Sequence, residues 1–168
     1  MQKLISFICV LFLSVTSFCQ DTIIPTDSFT IEGKIKNPAV FSIKNIDALP
    51  SQTLGDIATI NSSGETKSIR KNVRGVLLRD VLANVKMDVD KHKELLSYYF
   101  VLVATDGYKI VLSYNEIFTN KSIYVVTESN GKDAKQTNDR IEILVLIEAN
   151  KGRIAMKGLY KLIAEKEI

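Results

Sequence analysis

Apolar and polar residues alternate over much of the chain, and this pattern predicts a domain built mainly from β-strands. In residues 28–36, Phe29, Ile31 and Ile35 alternate with polar neighbours, as expected of a strand with one buried face. Comparable patterns predict further strands at residues 39–42, 52–60, 65–73, 98–105, 108–113, 122–127, 141–147 and 158–164. Residues 99–104 are apolar throughout, which predicts a strand covered on both faces.

Turn signals and short helical patterns separate these strands. Asp106-Gly107 lies between two strand-like runs and predicts a tight hairpin, and Asn61-Ser62-Ser63-Gly64 predicts another. Apolar residues spaced three or four apart predict short helices at residues 43–49, 76–85, 88–96 and 114–118. Residues 128–138 are polar and predict a mobile loop, and residues 148–157 are expected to connect the last two strands. The expected fold class is α+β, mostly β with several short helices.

Residues 1–19 have the pattern of a signal peptide. Lys3 gives a positive start, and the apolar stretch that follows is too short to span a bilayer. We therefore predict an exported protein, periplasmic or secreted, with a single domain at residues 20–168. A lipid-anchored form acylated at Cys19 is the alternative, which the bulky Phe18 disfavours. No later apolar stretch is long enough to predict a transmembrane segment.

Cysteine content and charge narrow the possible chemistry. The only two cysteines, Cys9 and Cys19, both lie in the predicted leader. Cleavage after Cys19 leaves a mature domain with no disulfide and no thiolate ligand for a metal. The formal net charge of +3 is too small to favour nucleic acid as a partner.

The order of these segments resembles the molybdopterin-binding domain of the sulfite oxidase-like oxidoreductases. Five markers carry the resemblance, which spans about residues 28–164. They are the opening strand with Asn37-Pro38, the strand-into-helix segment 41–50, the run Arg74-Gly75-Val76-Leu77-Leu78-Arg79-Asp80-Val81-Leu82, the hairpin Ala104-Thr105-Asp106-Gly107-Tyr108, and the closing strands in 141–147 and 151–162. The resemblance implies a sulfite oxidase-type fold and makes molybdopterin a possible cofactor.

The chain departs from the family at the metal ligand. Catalytic members hold molybdenum through the pterin dithiolene and one protein cysteine, whose soft thiolate suits the metal. The corresponding stretch here, about residues 58–70, has hydroxyl and amide side chains but no sulfur. The resemblance therefore implies the family's fold without its usual metal chemistry, and we predict no metal site and no catalytic residue.

Basic residues are the part of the family's site that the resemblance retains. Lys157 matches a lysine near the pterin phosphate, and Gly152 matches the glycine five residues before it. Arg74 and Arg153 are predicted in loops that add to an anion site, so these four residues are the candidates for binding a cofactor. Gly158 departs from the pattern, because many members have tryptophan there.

Other basic and ionisable residues have simpler interpretations. Two groups could bind anions or could guard exposed sheet edges; they are Lys67, Arg70, Lys71, Arg74 and Arg79, and Lys151, Arg153, Lys157 and Lys161. His92, the only histidine, is predicted on a charged helical surface without a second ligand for a metal. Asp106 is explained by the turn that it begins.

Three functions follow from these observations. The first is a non-catalytic ligand-binding or accessory module that acts outside the cytoplasm and accepts an anionic small molecule. The second is a molybdopterin-dependent oxidoreductase in which a hydroxyl or water replaces the cysteine; this is the class implied if the chain is an enzyme. The third is a protein-interaction module of the cell envelope, which would use an exposed sheet edge or apolar patch.

Overall fold

A computed structural model describes residues 23–136, 141–148 and 151–167, with main chain alone for 147, 148 and 151–153. The predicted leader and its cleavage point lie outside these residues. The strands are β1 (Ser28–Gly33), β2 (Ala39–Ser42), β3 (Gln52–Ile60), β4 (Thr66–Leu77), β5 (Tyr98–Ala104), β6 (Lys109–Ser113), β7 (Ile123–Ser129), β8 (Lys132–Asp133), β9 (Glu142–Glu148), β10 (Lys151–Lys157) and β11 (Leu159–Lys166). The helices are α1 (Ile43–Asp47), α2 (Leu78–Val81), α3 (Tyr114–Thr119) and a 3₁₀ helix (His92–Ser97).

The strands form two sheets. The first, here called the open sheet, has the order β2-β1-β11-β5-β6. The second, the closed sheet, has the order β4-β3-β10-β9-β7-β8, and an additional pairing of β4 with β7 closes β4-β3-β10-β9-β7 into a ring. Closure is possible because β4 is long: its first half pairs only with β3, whereas Arg74–Leu77 also reaches β7. Arg74 and Gly75 therefore have a partner strand on both sides, whereas the first half of β4 has a partner on one side only.

The main core fills the space between the open sheet, the ring and the short helices. Its largest buried side chains include Phe29, Tyr98 and Phe100, contributed by the inner face of the open sheet. A smaller cluster of Ile57, Val73, Val126 and Leu144 comes from four strands of the ring. Within the described residues, no helix has the length and apolar character needed to cross a membrane.

Capping explains two of the short helices. Ser42 begins α1 and Ser113 begins α3, and in each case the serine hydroxyl accepts a hydrogen bond from the main chain three residues later. The side chains of Asn45 and Glu116 reach back to complete the two capping boxes. Each helix therefore starts directly at the end of a strand.

The prediction of one helix over residues 76–85 is mostly wrong. Its first residues belong to β4, because Val76 and Leu77 pair with Val125 and Tyr124 of β7, and only Leu78–Val81 is helical. Apolar spacing could not show this, since both a helix face and a doubly covered strand place such residues in the core. The helix predicted at 88–96 is the shorter 3₁₀ helix.

Two other expectations about strands are also wrong. The predicted connection at 148–157 contains β10, which pairs with both β9 and β3. The predicted loop at 128–138 contains the end of β7 and the short strand β8, joined by a turn at Asn130 and Gly131; residues 137 and 138 lie outside the described residues. β5 is deeply buried on the face of Tyr98 and Phe100, and on its other face Val103 is buried while Tyr99 and Val101 are part-exposed.

Candidate functional site

A concavity of about 650 Å³ lies where β3, β4 and β10 meet the β5–β6 hairpin. Its lining combines polar and basic side chains with four apolar ones, and the residues are Thr59, Ile60, Asn61, Lys67, Ser68, Ile69, Arg70, Tyr108, Asn130, Ile154, Ala155 and Lys157. Among the described residues that form this wall there is no carboxylate. The concavity therefore presents an environment suited to an anion.

The β3–β4 hairpin forms one wall. Thr59 pairs with Ser68 of β4 and, on its other side, with Gly152 of β10. The turn is held by Asn61, whose Oδ1 accepts hydrogen bonds from the N–H groups of Ser63 and Glu65 at 3.0 and 2.9 Å. Such side-chain to main-chain bonds fix the turn, and with it the side chains that leave β3 and β4 toward the concavity.

A buried ion pair lies behind the basic wall. Arg70 on β4 is paired with Glu142 on β9, and their side chains are only 12% and 9% exposed. In the β9–β10 ladder, Lys157 lies directly opposite Glu142. This carboxylate therefore lies near two of the three cations in the described lining, and Lys67 on the exposed part of β4 is the third.

Thr59 has an unusual hydroxyl. Its Oγ1 is buried and, within the described residues, has no hydrogen-bond partner. A buried hydroxyl without a partner costs about 1–3 kcal/mol. Because this residue lines the concavity, a bound ligand or water could supply the missing hydrogen bond.

Two residues from outside the β3–β4 hairpin complete the wall. Asn130 has a φ of 54° and is tied to Lys71 of β4 by its side-chain oxygen and its own N–H, at 2.9 and 2.8 Å. Tyr108, on the hairpin of the open sheet, is 47% exposed. Asn130 was not among the predicted site residues, whereas the Asp106-Gly107 turn positions Tyr108, because Asp106 Oδ1 accepts a hydrogen bond from the Tyr108 N–H at 3.0 Å.

The four residues predicted to bind a cofactor occupy different places. Lys157 lines the concavity, and Gly152 lies beside its wall, opposite Thr59. Arg153 is in β10, but its side chain lies outside the described residues. Arg74 is not in a loop: it lies in β4, where its guanidinium donates to Ser51 Oγ at 2.8 Å and approaches Glu128 at 3.8 Å. Arg74 is absent from the described lining.

Several other basic side chains are engaged elsewhere. Lys71 donates a hydrogen bond to the Asp56 carboxylate. This bond and a second one from the Asn72 N–H lower the pKa of the Asp56 carboxyl. Lys161 pairs with Glu32 at 2.9 Å on the open sheet, so it does not continue a stripe with the basic residues of β10. Arg79 lies 3.4 Å from its neighbour Asp80. Among the side chains that the structure describes, the concavity therefore has fewer cations than either predicted basic group.

Metal-binding clusters are absent from the described residues: no group of three His, Cys, Asp or Glu side chains is arranged to hold a metal ion. His92 begins the 3₁₀ helix and is exposed, and Asp106 serves its turn.

Comparison with known proteins identifies the fold. The chain is similar to a solved structure of the sulfane dehydrogenase SoxCD from Paracoccus pantotrophus, with a TM-score of 0.58 and 14% sequence identity over 83% of this chain. The match spans 38% of the SoxCD chain, so this protein corresponds to a minor part of it. No family model and no curated protein matches the sequence. The similarity is to a sulfite oxidase-family protein and confirms the expected fold class, but at this identity it concerns the fold alone.

The side chains of the concavity do not fit a cysteine-ligated molybdenum centre. Residues 58–70, which the resemblance aligns with the metal-binding stretch, include Thr59 and Ser68 in the wall, and no sulfur atom. Their hydroxyls are hard oxygen donors, whereas the expected ligand is a soft thiolate. Ammonium, guanidinium and amide groups instead match a phosphate or carboxylate.

Proposed function

We propose that this protein is a non-catalytic module that binds a small anionic molecule in the concavity and acts outside the cytoplasm. The observation that carries the proposal is the wall itself, which combines Lys67, Arg70 and Lys157 with amide and hydroxyl groups. Export is supported by the leader-like sequence at residues 1–19. The missing cysteine supports a binding role over the redox chemistry of the family that the fold resembles.

The three cations are expected to contribute unequally. Arg70 is paired with Glu142, and Lys157 lies opposite the same carboxylate in the β9–β10 ladder. Lys67 is exposed on β4, and Lys157 is half-buried at the end of β10. A half-buried ammonium interacts more strongly with an anion than an exposed one, because less water screens it. Lys157 is therefore expected to contribute more to binding than Lys67.

The ligand class follows from the neighbours of these cations. Asn61, Ser68 and Asn130 can donate hydrogen bonds to a phosphate or carboxylate, and Tyr108 offers a ring surface at the rim. Ile69, 58% exposed, adds apolar surface in the same lining. An organic anion with an unsaturated or ring-containing body suits this combination better than a bare inorganic ion.

The test uses the full chain, produced in an export-competent host that makes molybdopterin. Isothermal titration with inorganic phosphate and with pyridoxine 5′-phosphate, a ring-bearing probe without a reactive aldehyde, should show binding, tighter for the ring-bearing probe. Lys157→Met should weaken the binding of both probes about tenfold, because it removes one charge-assisted hydrogen bond. Lys44→Met, an exposed lysine on α1 outside the lining, is the matched control and should leave it unchanged.

Metal and pterin assays on the same preparation separate the rival function. Stoichiometric molybdenum and pterin fluorescence, together with turnover of sulfite or a sulfoxide, would overturn the non-catalytic proposal in favour of an oxidoreductase without a cysteine ligand. Equal weakening by Lys157→Met and Lys44→Met would show that the titrated anion binds by general charge and not in the concavity.

A further inference from the structure

β6 is an unpaired edge of the open sheet. The sheet order ends at β6 on one side and at β2 on the other. β2 has only four residues and follows Pro38, which has no N–H to offer a partner. Among the described strands of the open sheet, β6 is thus the longer and less protected edge.

Hydrogen bonds show which main-chain groups of β6 face outward. The Tyr108 carbonyl accepts a hydrogen bond from the Ala104 N–H at 2.9 Å, so the main-chain groups of Tyr108 point toward β5. The main-chain groups of Ile110 and Leu112, two and four residues later, point the same way. The Ser113 N–H instead donates to Glu116 Oε2 at 2.7 Å, on the other side. By the same alternation, the N–H and C=O groups of Lys109 and Val111 point away from β5.

An apolar row crosses the outer face of the sheet beside this edge. Val111 is 61% exposed and lies opposite Val101 of β5, which in turn lies opposite Ile163 of β11. These three side chains form a row that runs across the open sheet to the free edge. A row of branched apolar side chains next to unpaired main-chain groups is the usual surface for adding another strand.

We propose that β6 pairs antiparallel with β6 of a second copy of this chain, in the register that sets Val111 opposite Val111. In this register the main-chain N–H of each Val111 donates a hydrogen bond to the carbonyl of the other Val111. Each Lys109 N–H likewise donates to the Ser113 carbonyl of the other copy. The apolar row then continues from one copy into the next, so the two open sheets form one sheet.

Charge complementarity favours a second copy as the occupant. The same register places Lys109 directly opposite Ser113 of the other copy, and Ser113 holds the Glu116 carboxylate through its N–H and hydroxyl, at 2.7 and 2.8 Å. Twofold symmetry repeats this lysine–glutamate approach at both ends of the paired strands. The β2 edge has no equivalent apolar row. Its Val40 lies opposite the polar Thr30, which in turn lies opposite Lys161.

Sedimentation equilibrium of the full chain tests the pairing. The expected result is a reversible dimer whose dissociation constant rises at least about tenfold in Val111→Pro, because proline removes a donor that the β5 ladder does not use. Val111→Lys should have the same effect without altering the main chain. Val40→Lys, at an equally exposed valine on β2, is the control and should dimerise like the unmodified chain.

Two results would overturn this inference. One is a monomer at every concentration up to about 1 mM, which would put any pairing outside the useful affinity range. The other is a dimer that Val40→Lys weakens as much as Val111→Lys does, which would place the contact elsewhere. Circular dichroism of each variant checks that a loss of dimer is not a loss of fold.

Discussion

Arg70 on β4 and Glu142 on β9 form a buried ion pair between two strands that are not neighbours in the sheet order. The pair therefore links two strands that share no main-chain hydrogen bonds. It holds β4, which forms a wall of the concavity, to β9, the strand that pairs with β10 at Lys157. It is the feature that connects the stability of the closed sheet with the shape of the candidate site.

Removing one partner of this pair should destabilise the fold. Glu142→Ala leaves a guanidinium with little access to water, and we expect a loss of about 3 kcal/mol in the free energy of unfolding, measured by urea denaturation. The double variant Arg70→Met with Glu142→Leu removes both charges and should be more stable than Glu142→Ala alone. A double variant at least as unstable as the single one would contradict a role based on paired charges.

Gly158 should tolerate no side chain. Its φ is 66°, and a Cβ would lie 2.7 Å from Thr105 Oγ1, which bonds to the N–H and C=O of Ile24. Gly107→Ala is the matched control, because Gly107 has a φ of 82° but open space around it. We expect both substitutions to lower the melting temperature, and Gly158→Ala to lower it more, since it adds a clash to a backbone strain of about 1–3 kcal/mol.

Removing the Thr59 hydroxyl should change stability and anion binding in opposite directions. Thr59→Val keeps the shape of the side chain but removes the buried hydroxyl, and is expected to raise the free energy of unfolding without ligand by about 1 kcal/mol. If the hydroxyl serves the ligand, the same variant should bind the anion more weakly. A variant that is both less stable and unchanged in affinity would remove Thr59 from the site.

Acid and alkaline stability should depend on Glu94 and Lys166, which are 2.6 Å apart. The hydrogen bond from Lys166 lowers the pKa of Glu94, and the hydrogen bond to Glu94 raises the pKa of Lys166. Glu94 therefore contributes stability above its ordinary pKa of 4.5 that is lost as the pH falls. Lys166 contributes stability below its ordinary pKa of 10.5 that is lost as the pH rises.

Glu94→Gln should consequently flatten both limbs of the stability curve, as measured by melting temperature from pH 3 to pH 11. The equivalent substitution Glu32→Gln is a useful comparison for the alkaline limb, because the Glu32 partner Lys161 also has a raised pKa. An acid limb as steep in Glu94→Gln as in the unmodified chain would refute the assignment.

The sequence predicted the fold well where local signals were strong. Alternation located β1 and β2, and Asp106-Gly107 located the β5–β6 hairpin to within a residue. It failed where partners distant in sequence decide the structure: β10 and the end of β4 are strands because neighbours on β3, β9 and β7 pair with them. No local pattern contains that information.

The candidate site was only partly accessible to sequence reasoning. Family resemblance pointed to Lys157 and to the stretch containing Thr59, and both line the concavity. Arg74 was expected there too, but the long β4 strand carries it toward Ser51 and Glu128. The contribution of Asn130 depends on its hydrogen bonds to Lys71, which link residues far apart in the chain.

The most direct test of an anion-binding concavity is a ¹H–¹⁵N NMR titration of the full chain with inorganic phosphate. The account predicts saturable shifts confined to amides of the lining, above all near Thr59, Lys67 and Lys157, that are lost in Lys157→Met and kept in Lys44→Met. Shifts that increase linearly without saturation, or that spread over exposed lysines outside the concavity, would contradict it.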